Sequence, residues 1–264
     1  MIYIYTMNVI MTPKKIKLAR QLRLEGKSPR EIASILEVKL KRIYQYTANL
    51  GVPPCHPLYK TKEIQHDFFS KTNVRHNISR LVLVGFVAAD GCISESKGQK
   101  TLIIRLAKKD VSVLQTFNVL LAKNTRTISE AKKSKAIDFP SDLMCNDLAH
   151  YGIVPRKTSI YTWPKHLTKN QGQRFLLGYF YGDGCFHRYP NRDSISFVTT
   201  MKFAEELRKF LYRHKIVEHC VISQYKKRPI YTQVVLQGKH CRRFAKWLFA
   251  DLSMPLLPRK HPPS

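Results

Sequence analysis

Apolar positions along this chain fall first into a helical rhythm and later into alternation. From Lys15 to Leu24 they recur at Ile16, Ala19 and Leu22, which is the spacing of one helix face. Glu25-Gly26-Lys27 breaks that helix. Ser28-Pro29-Arg30-Glu31 opens a second, with Ser as the cap, Pro at the first helical position and Glu three residues after the cap. Ile32, Ala33, Ile35 and Leu36 supply its buried face, and Glu37-Val38 turns the chain into a third helix from Lys39 to Asn49, closed at Gly51. After the stiff stretch Val52-Pro53-Pro54-Cys55-His56-Pro57, an apolar run ends in Asp90. Alternation then predicts strands over Cys92 to Ser96 and Thr101 to Lys108, a helix follows at Val111 to Leu121, and a basic strand pair lies across Lys132-Lys133-Ser134-Lys135. A second apolar run ends in Asp183. Beyond it the pattern predicts a strand at Ser194 to Thr200, a helix at Lys202 to His214, a hairpin from Val221 to Gln237 and a last helix from Arg242 to Ala250.

The two apolar runs are one device written twice. Leu83 to Cys92 reads LVGFVAADGC and Leu176 to Cys185 reads LLGYFYGDGC, with the two acids 93 residues apart. Residues i and i+4 share a helix face, so Gly85 stacks with Ala89 and Gly178 with Gly182. Such small-residue faces let two helices approach backbone to backbone. Phe86, Val87, Tyr179 and Phe180 widen the apolar surface around the contact, and Gly91 and Gly184 are expected to close the helices in the left-handed conformation.

Asp90 and Asp183 then stand in the last turns, at the negative end of the helix dipole and among unpaired carbonyls. If the two helices pack in parallel, two acids and two sets of carbonyl oxygens converge, a hard-oxygen environment suited to Mg²⁺ or a similar cation. Each Asp-Gly taken singly reads as well as an ordinary turn after a core helix; agreement in register between two copies favours the site. A second repeat accompanies the first. Val154-Pro155-Arg156-Lys157 and Leu257-Pro258-Arg259-Lys260 place a lysine 67 and 77 residues after the acids. Beside a metal-bound phosphate, Lys157 and Lys260 would stabilise developing charge or position water; a solvated basic turn is the alternative.

Charge adds a partner to this picture. Of 264 residues, 46 are Lys or Arg and 18 are Asp or Glu, a formal charge of +28. Self-repulsion on that scale destabilises a compact state, which makes a polyanion, and nucleic acid first among polyanions, the expected partner. The six cysteines show no zinc spacing and read as reduced thiols of an intracellular protein. No apolar run has the length of a membrane span, and the apolar start MIYIYTMNVIM lacks the basic flank of a signal peptide.

Two further elements point to DNA. Residues 14–52 have a helix-turn-helix pattern, and EGKSPREIASIL with its following Val and Ile-Tyr resembles resolvase-type and phage DNA-binding modules. Its third helix would offer Lys39, Lys41, Arg42, Gln45 and Tyr46 to the major groove, although Glu37 stands where the turn usually has Gly. In the late hairpin, Ile230, Thr232, Val234 and Leu236 point one way while Tyr231, Gln233 and Gln237 point the other. That polar face, with the basic turns Lys132, Lys133, Lys135 and Lys226, Lys227, Arg228, suits the base edges and phosphates of a duplex.

Residues 83–91 and 176–184 resemble the two signatures of a single-chain LAGLIDADG homing endonuclease. The resemblance implies an α+β fold of two pseudo-symmetric αββαββα halves forming a DNA-binding saddle, with the small all-α module in front. The expected division is residues 1–13 unassigned, 14–52 helix-turn-helix, 53–77 linker, 78–165 first half and 166–264 second half. It further implies that Asp90 and Asp183 bind Mg²⁺ or Mn²⁺, with the carbonyls of Ala89 and Gly182 facing the metal. Lys157 and Lys260 would stand near the scissile phosphates, and Lys108 would lie near the metals with Thr200 as its weaker counterpart. The implied reaction is hydrolysis of both strands of double-stranded DNA at a long site, leaving short 3′ overhangs, by an intron-encoded or free-standing monomer working at DNA inside the cell. A transcription regulator on the same scaffold and an intron-RNA splicing maturase are the alternatives, and retention of both acids weighs against the regulator.

Overall fold

The computed structural model describes residues 11–24, 27, 29–47, 64–188, 192–224, 231–250, 256–257 and 260. They form two compact units, divided after residue 63. The first contains three short helices: α1 (Pro13–Leu24), α2 (Pro29–Ile35) and α3 (Leu40–Thr47). Its small core is Met11, Ala19, Ile32, Leu36, Val38 and Ile43. Met11, in the stretch left unassigned by sequence, is thus a core residue. Ile35, expected inside, is 52% exposed, because α2 is only seven residues long and its buried stripe runs through Ile32 and Leu36 instead. The turn into α3 places Glu37 at φ 53°, the left-handed region that accounts for the usual Gly there.

The expected linker ends earlier than Asn77. From Ile64 the chain belongs to the second unit: Ile64, Phe68, Phe69 and Val74 are buried in its core, and the Gln65 amide donates to the Leu121 carbonyl at 2.8 Å. Apolar residues at these positions outweigh the basic ones that made the stretch look solvated.

After α4 (Lys71–His76), the second unit runs twice through one order of elements. The first half is α5 (Arg80–Asp90), β1 (Gly91–Ser96), β2 (Gln99–Ala107), α6 (Val111–Ala122), β3 (Ser129–Glu130), β4 (Ser134–Pro140) and α7 (Asp142–Ala149). The second is α8 (Lys169–Asp183), β5 (Gly184–Arg188), β6 (Asp193–Thr199), α9 (Met201–Arg213), β7 (Val221–Gln224), β8 (Thr232–Gln237) and α10 (Gly238–Leu248). This is the expected αββαββα order, with β5 and α7 as elements the hydrophobic pattern did not resolve. Each half holds a four-stranded antiparallel sheet, ordered β1-β2-β4-β3 and β5-β6-β8-β7. Registers agree between the halves, Gly91 pairing with Ile104 and Gly184 with Phe197, so an offset of 93 residues relates them through the first two strands.

Local chemistry sets the helix starts. Thr168 and Gln171 form a capping box at α8, Thr200 accepts the Phe203 amide at α9, and Ser141 accepts the Met144 amide at α7. The helix ends differ from expectation. Gly91 (φ −86°, ψ 158°) and Gly184 (φ −84°, ψ 151°) are extended, not left-handed, and begin strands. Glycine is needed there for room, since a Cβ on Gly91 would lie 2.7 Å from Val87 Cγ1 and one on Gly184 2.6 Å from the Phe180 carbonyl oxygen. Among the described residues, no helix is long and apolar enough to cross a membrane.

Candidate active site

Helices α5 and α8 pack against each other through their glycines, as the repeat predicts. A methyl group on Gly85 would overlap the Phe175 carbonyl, and one on Gly178 would overlap the Val82 carbonyl, so backbone meets backbone in both directions. Around this seam Leu81 to Val87 and Phe175 to Tyr181, apart from the glycines, form the shared core of both halves. Near the ends of the helices Gly182 lies against Ala89, and a Cβ there would come 3.2 Å from Asp90 Oδ2. The acid that closes one helix therefore stands beside the last turn of the other.

The electrostatics follow from this placement. Burial raises the Asp183 carboxyl to about 6, with the neighbouring Asp90 charge adding to the rise and Lys157, Lys260 and a Tyr179 hydrogen bond opposing it. Burial also raises Asp90, against the pull of Lys260 and then Lys157, and Asp110 pushes it further up. Lys157 is itself buried and depressed by desolvation, with Asp183 as its strongest compensating charge. Its ammonium lies 5.8 Å from the centre of the Tyr161 ring. Lys260 donates to the carbonyls of Phe180 and Gly182 at the end of α8. The charges of both lysines thus act on both acids.

A cavity of about 520 Å³ opens beside Asp183, lined by Ala89, Lys157, Tyr161, Tyr179, Thr199 and Tyr231 among others. Tyr179, placed by sequence in the apolar seam, has a buried ring but donates its hydroxyl to Thr199 Oγ1 (3.1 Å) and toward the Val198 carbonyl (3.3 Å). Tyr179, Thr199, Tyr161 and Asp110 were not read as site residues. The signal for the first two lay in the repeat, where the 93-residue offset matches them to Phe86 and Leu106.

Other expected residues fall elsewhere. Lys108 sits in a single 3₁₀ turn after β2 and pairs with Glu130 in an exposed contact. Its counterpart at the 93-residue offset is Met201, while Thr200 matches Ala107, so Thr200 is not a second Lys108. Thr200 instead caps α9 and donates to the Tyr161 carbonyl at 2.6 Å. The Gly182 carbonyl, expected to face metal, is engaged by Lys260. Lys41, Arg42 and Gln45 are exposed on α3 and Lys39 is exposed just before it, whereas Tyr46 packs partly against the core of its unit. Lys132 and Lys133 are exposed between β3 and β4, and Lys135 pairs with Glu130 at 3.7 Å. Gln233 is half-buried on β8, opposite in face to buried Thr232, Val234 and Leu236. Lys226, Lys227 and Arg228 lie outside the described residues.

The donor set fits a hard divalent cation. Among the described residues no group of three or more His, Cys, Asp or Glu side chains could hold a metal alone. Mg²⁺ does not require one, since it keeps several waters and binds through one or two carboxylates together with substrate phosphates. Asp90 and Asp183, both raised by desolvation, are the residues that would hold it.

A paired-acid site at the ends of two glycine-packed helices, between two copies of one αββαββα unit, defines a class of duplicated DNA-handling folds. The model of the LAGLIDADG-like domain matches residues 77–146 and 170–248, more than half of the chain, and the chain belongs to that family. Among solved structures it is similar to mesophilic variants of the homing endonuclease I-DmoI, at 14% identity and a TM-score of 0.53, covering 70% of this chain and 96% of that one. It is also similar to the homing endonuclease I-WcaI bound to its DNA recognition sequence (15% identity, TM-score 0.47, 69% and 84% covered). A third is the LAGLIDADG meganuclease I-AabMI bound to uncleaved DNA (14%, 0.44, 66% and 84%). The I-DmoI likeness bears on the fold, the pseudo-symmetric saddle of two sheets. No curated protein matches the chain.

Proposed function

We propose that this protein is a site-specific homing endonuclease that hydrolyses both strands of double-stranded DNA at a long recognition site. It depends on Mg²⁺ or Mn²⁺ and leaves short 3′ overhangs. The observation that carries the reading is the meeting of Asp90 and Asp183 at the ends of α5 and α8 with Lys157 and Lys260 around them. Two carboxylates from two halves match two strands, one hydrolysis each. When bound, the metal supplies Lewis-acid stabilisation of the attacking and leaving oxygens.

The chain's own groups do the rest. Asp90 and Asp183 hold negative charge at one place and are relieved of it when a cation is present. Lys157, kept from water by Tyr161, faces the charge that develops on a phosphate with its ammonium weakly screened. Lys260, anchored on helix carbonyls, offers the second positive charge. The formal charge of +28 and the exposed Lys39, Lys41, Arg42 and Gln45 at and just before α3 give the protein, acting as a monomer, a long electrostatic footprint, with residues 14–52 as an added DNA-reading module. The work is placed at DNA inside the cell.

The test is cleavage of a duplex carrying the sequences that flank the gene joined without it, with Mg²⁺, with EDTA, and with an intron-bearing RNA as competitor. Double-strand cutting that needs the metal is expected, with binding that weakens by roughly one power of salt per phosphate contacted. Metal-independent cutting would remove the cation from the reading, and tight binding of that duplex without cutting would remove the endonuclease and leave the regulator. Preference for the RNA would favour the maturase.

A further inference from the structure

Alternation sorts the strand residues of both sheets onto two faces. In the first sheet Leu102, Ile104 and Leu106 of β2 and Ile137 and Phe139 of β4 are buried in the core. The opposite face carries Ile103, Arg105 and Ala107 of β2 with Ala136 and Asp138 of β4. In the second sheet Ile195, Phe197, Val234 and Leu236 belong to the core. Its opposite face carries Ser196 and Val198 of β6, Gln233 and Val235 of β8, and Val221 of β7.

These two outer faces match in register and differ in chemistry. The 93-residue offset sets Arg105 against Val198. One row further from the acids, Ile103 pairs with Asp138 and Ser196 with Val235, so Asp138 is set against Val235. Arg105 is exposed, in the strand position that follows the Gly91–Ile104 pair toward Asp90. The cations around it are engaged, Arg126 by Asp138 at 2.7 Å and both Lys108 and Lys135 by Glu130. Among the described residues no acid pairs with Arg105. On the second sheet Val221 lies directly across from half-buried Val235 and is 44% exposed. Two valines side by side on an outer face gain free energy when an apolar group covers them.

In a major groove, guanine offers two acceptors, N7 and O6, to the fork of an arginine, and thymine offers its C5-methyl group to an apolar side chain. We propose that Arg105 reads a guanine in the arm of the target under the first sheet, and that the Val221–Val235 pair reads thymine methyls in the arm under the second. The proposal rests on the site-specific endonuclease reading and adds the class of base that each half selects. A free guanidinium and an apolar pair at different rows of matching sheets give the two arms different chemistry.

In the experiment, the joined flanking duplex is randomised a few base pairs at a time, and full-length protein selects bound duplexes in Ca²⁺. The wild type is expected to demand guanine at one position of one arm and thymine at one or more positions of the other. Arg105→Ala should lose roughly tenfold or more of the discrimination at the guanine position and leave the thymine positions unchanged. Arg105→Gln should move that position from guanine to adenine, whose N6 and N7 suit an amide. Val221→Ser combined with Val235→Ser should relax the thymine positions alone. A further measurement needs no variant: uracil in place of thymine there removes only the methyl and should weaken wild-type binding by about fourfold per methyl covered. A guanine position that survives Arg105→Ala overturns the first assignment. So does an equal loss of affinity for every sequence, which would make Arg105 a phosphate contact. Uracil accepted as well as thymine overturns the second. If the wild type binds the duplex and does not cut it in Mg²⁺, the endonuclease reading falls while the selection still decides the bases. If it cuts and the selected bases ignore these substitutions, the assignments fall alone.

Discussion

The two halves of the larger unit agree where backbone touches backbone and part company where side chains surround the acids. Gly85 and Gly178 are interchangeable in role, each admitting a carbonyl of the other helix, and each acid is followed by a glycine that leaves room for the turn into a strand. Around the acids the halves differ. Asp183 has Tyr179, Thr199 and a cavity beside it; Asp90 has Phe86, Leu106 and the nearby acid Asp110. A shared seam allows no independent change, since any atom added on one helix strikes the other. The cavity beside Asp183 takes Ala89, Lys157 and Tyr161 from the first half and Tyr179, Thr199 and Tyr231 from the second, and these side chains can diverge while the acids stay together.

The largest expected effect removes the acids that the halves share. Asp90→Asn or Asp183→Asn should lower double-strand cleavage by roughly a hundredfold or more, with nicking of one strand at most and DNA affinity retained in gel shift. Unchanged cutting by either variant would show that the acids only end helices. Next comes the seam. Gly178→Val should destabilise the larger unit by about 3 kcal/mol or more, and Gly85→Val similarly, as read by chemical denaturation. A mild effect at one glycine and a severe one at the other would break the equivalence claimed for them.

A smaller effect separates the acids by pH. Asp183 has a folded-state value of about 6 against an ordinary 3.8, so the folded protein holds this proton more tightly than the unfolded chain. The associated stability is fully present below about pH 4 and is lost as pH rises through about 6. Asp183→Asn should accordingly stabilise the protein at pH 7 to 8 by on the order of 1–3 kcal/mol and offer no gain near pH 4. Thermal melts across that range decide it, and a gain independent of pH would mean that burial of the charge is not its origin. The smallest effect concerns Lys108. Because it pairs with exposed Glu130 and its counterpart is Met201, Lys108→Ala should leave cleavage within about threefold of wild type. A collapse of activity would place Lys108 in the site despite that pairing.

Much of this was legible before any coordinates. The paired glycines and the register of Asp90 with Asp183 are local patterns repeated at a fixed offset, the Pro-Arg-Lys turns recur at a different one, and repetition makes weak signals readable; the full αββαββα order came with the family resemblance. Other features were misread for identifiable reasons. Residues 64–77 looked like linker because basic residues mask Phe68, Phe69 and Val74 in a linear reading, although those three are core. Ile35 looked buried because periodicity ignores how short α2 is. Gly91 and Gly184 looked like left-handed helix ends because glycine has two uses, conformational freedom and absence of bulk, and composition does not tell them apart.

The amino-acid order by itself determined the duplication, the helices that carry the acids and the charge that calls for a polyanion, since each depends on residues near one another along the chain. Only the tertiary structure decided which groups surround the acids. The charges of Lys157 and Lys260 act on both carboxylates, Lys108 turns to Glu130, and the Tyr179 hydroxyl meets Thr199 because packing of two sheets and a helix seam brings distant residues to one point. Electrostatic and hydrogen-bond energies depend on those separations of a few ångströms, which spacing along a chain does not encode.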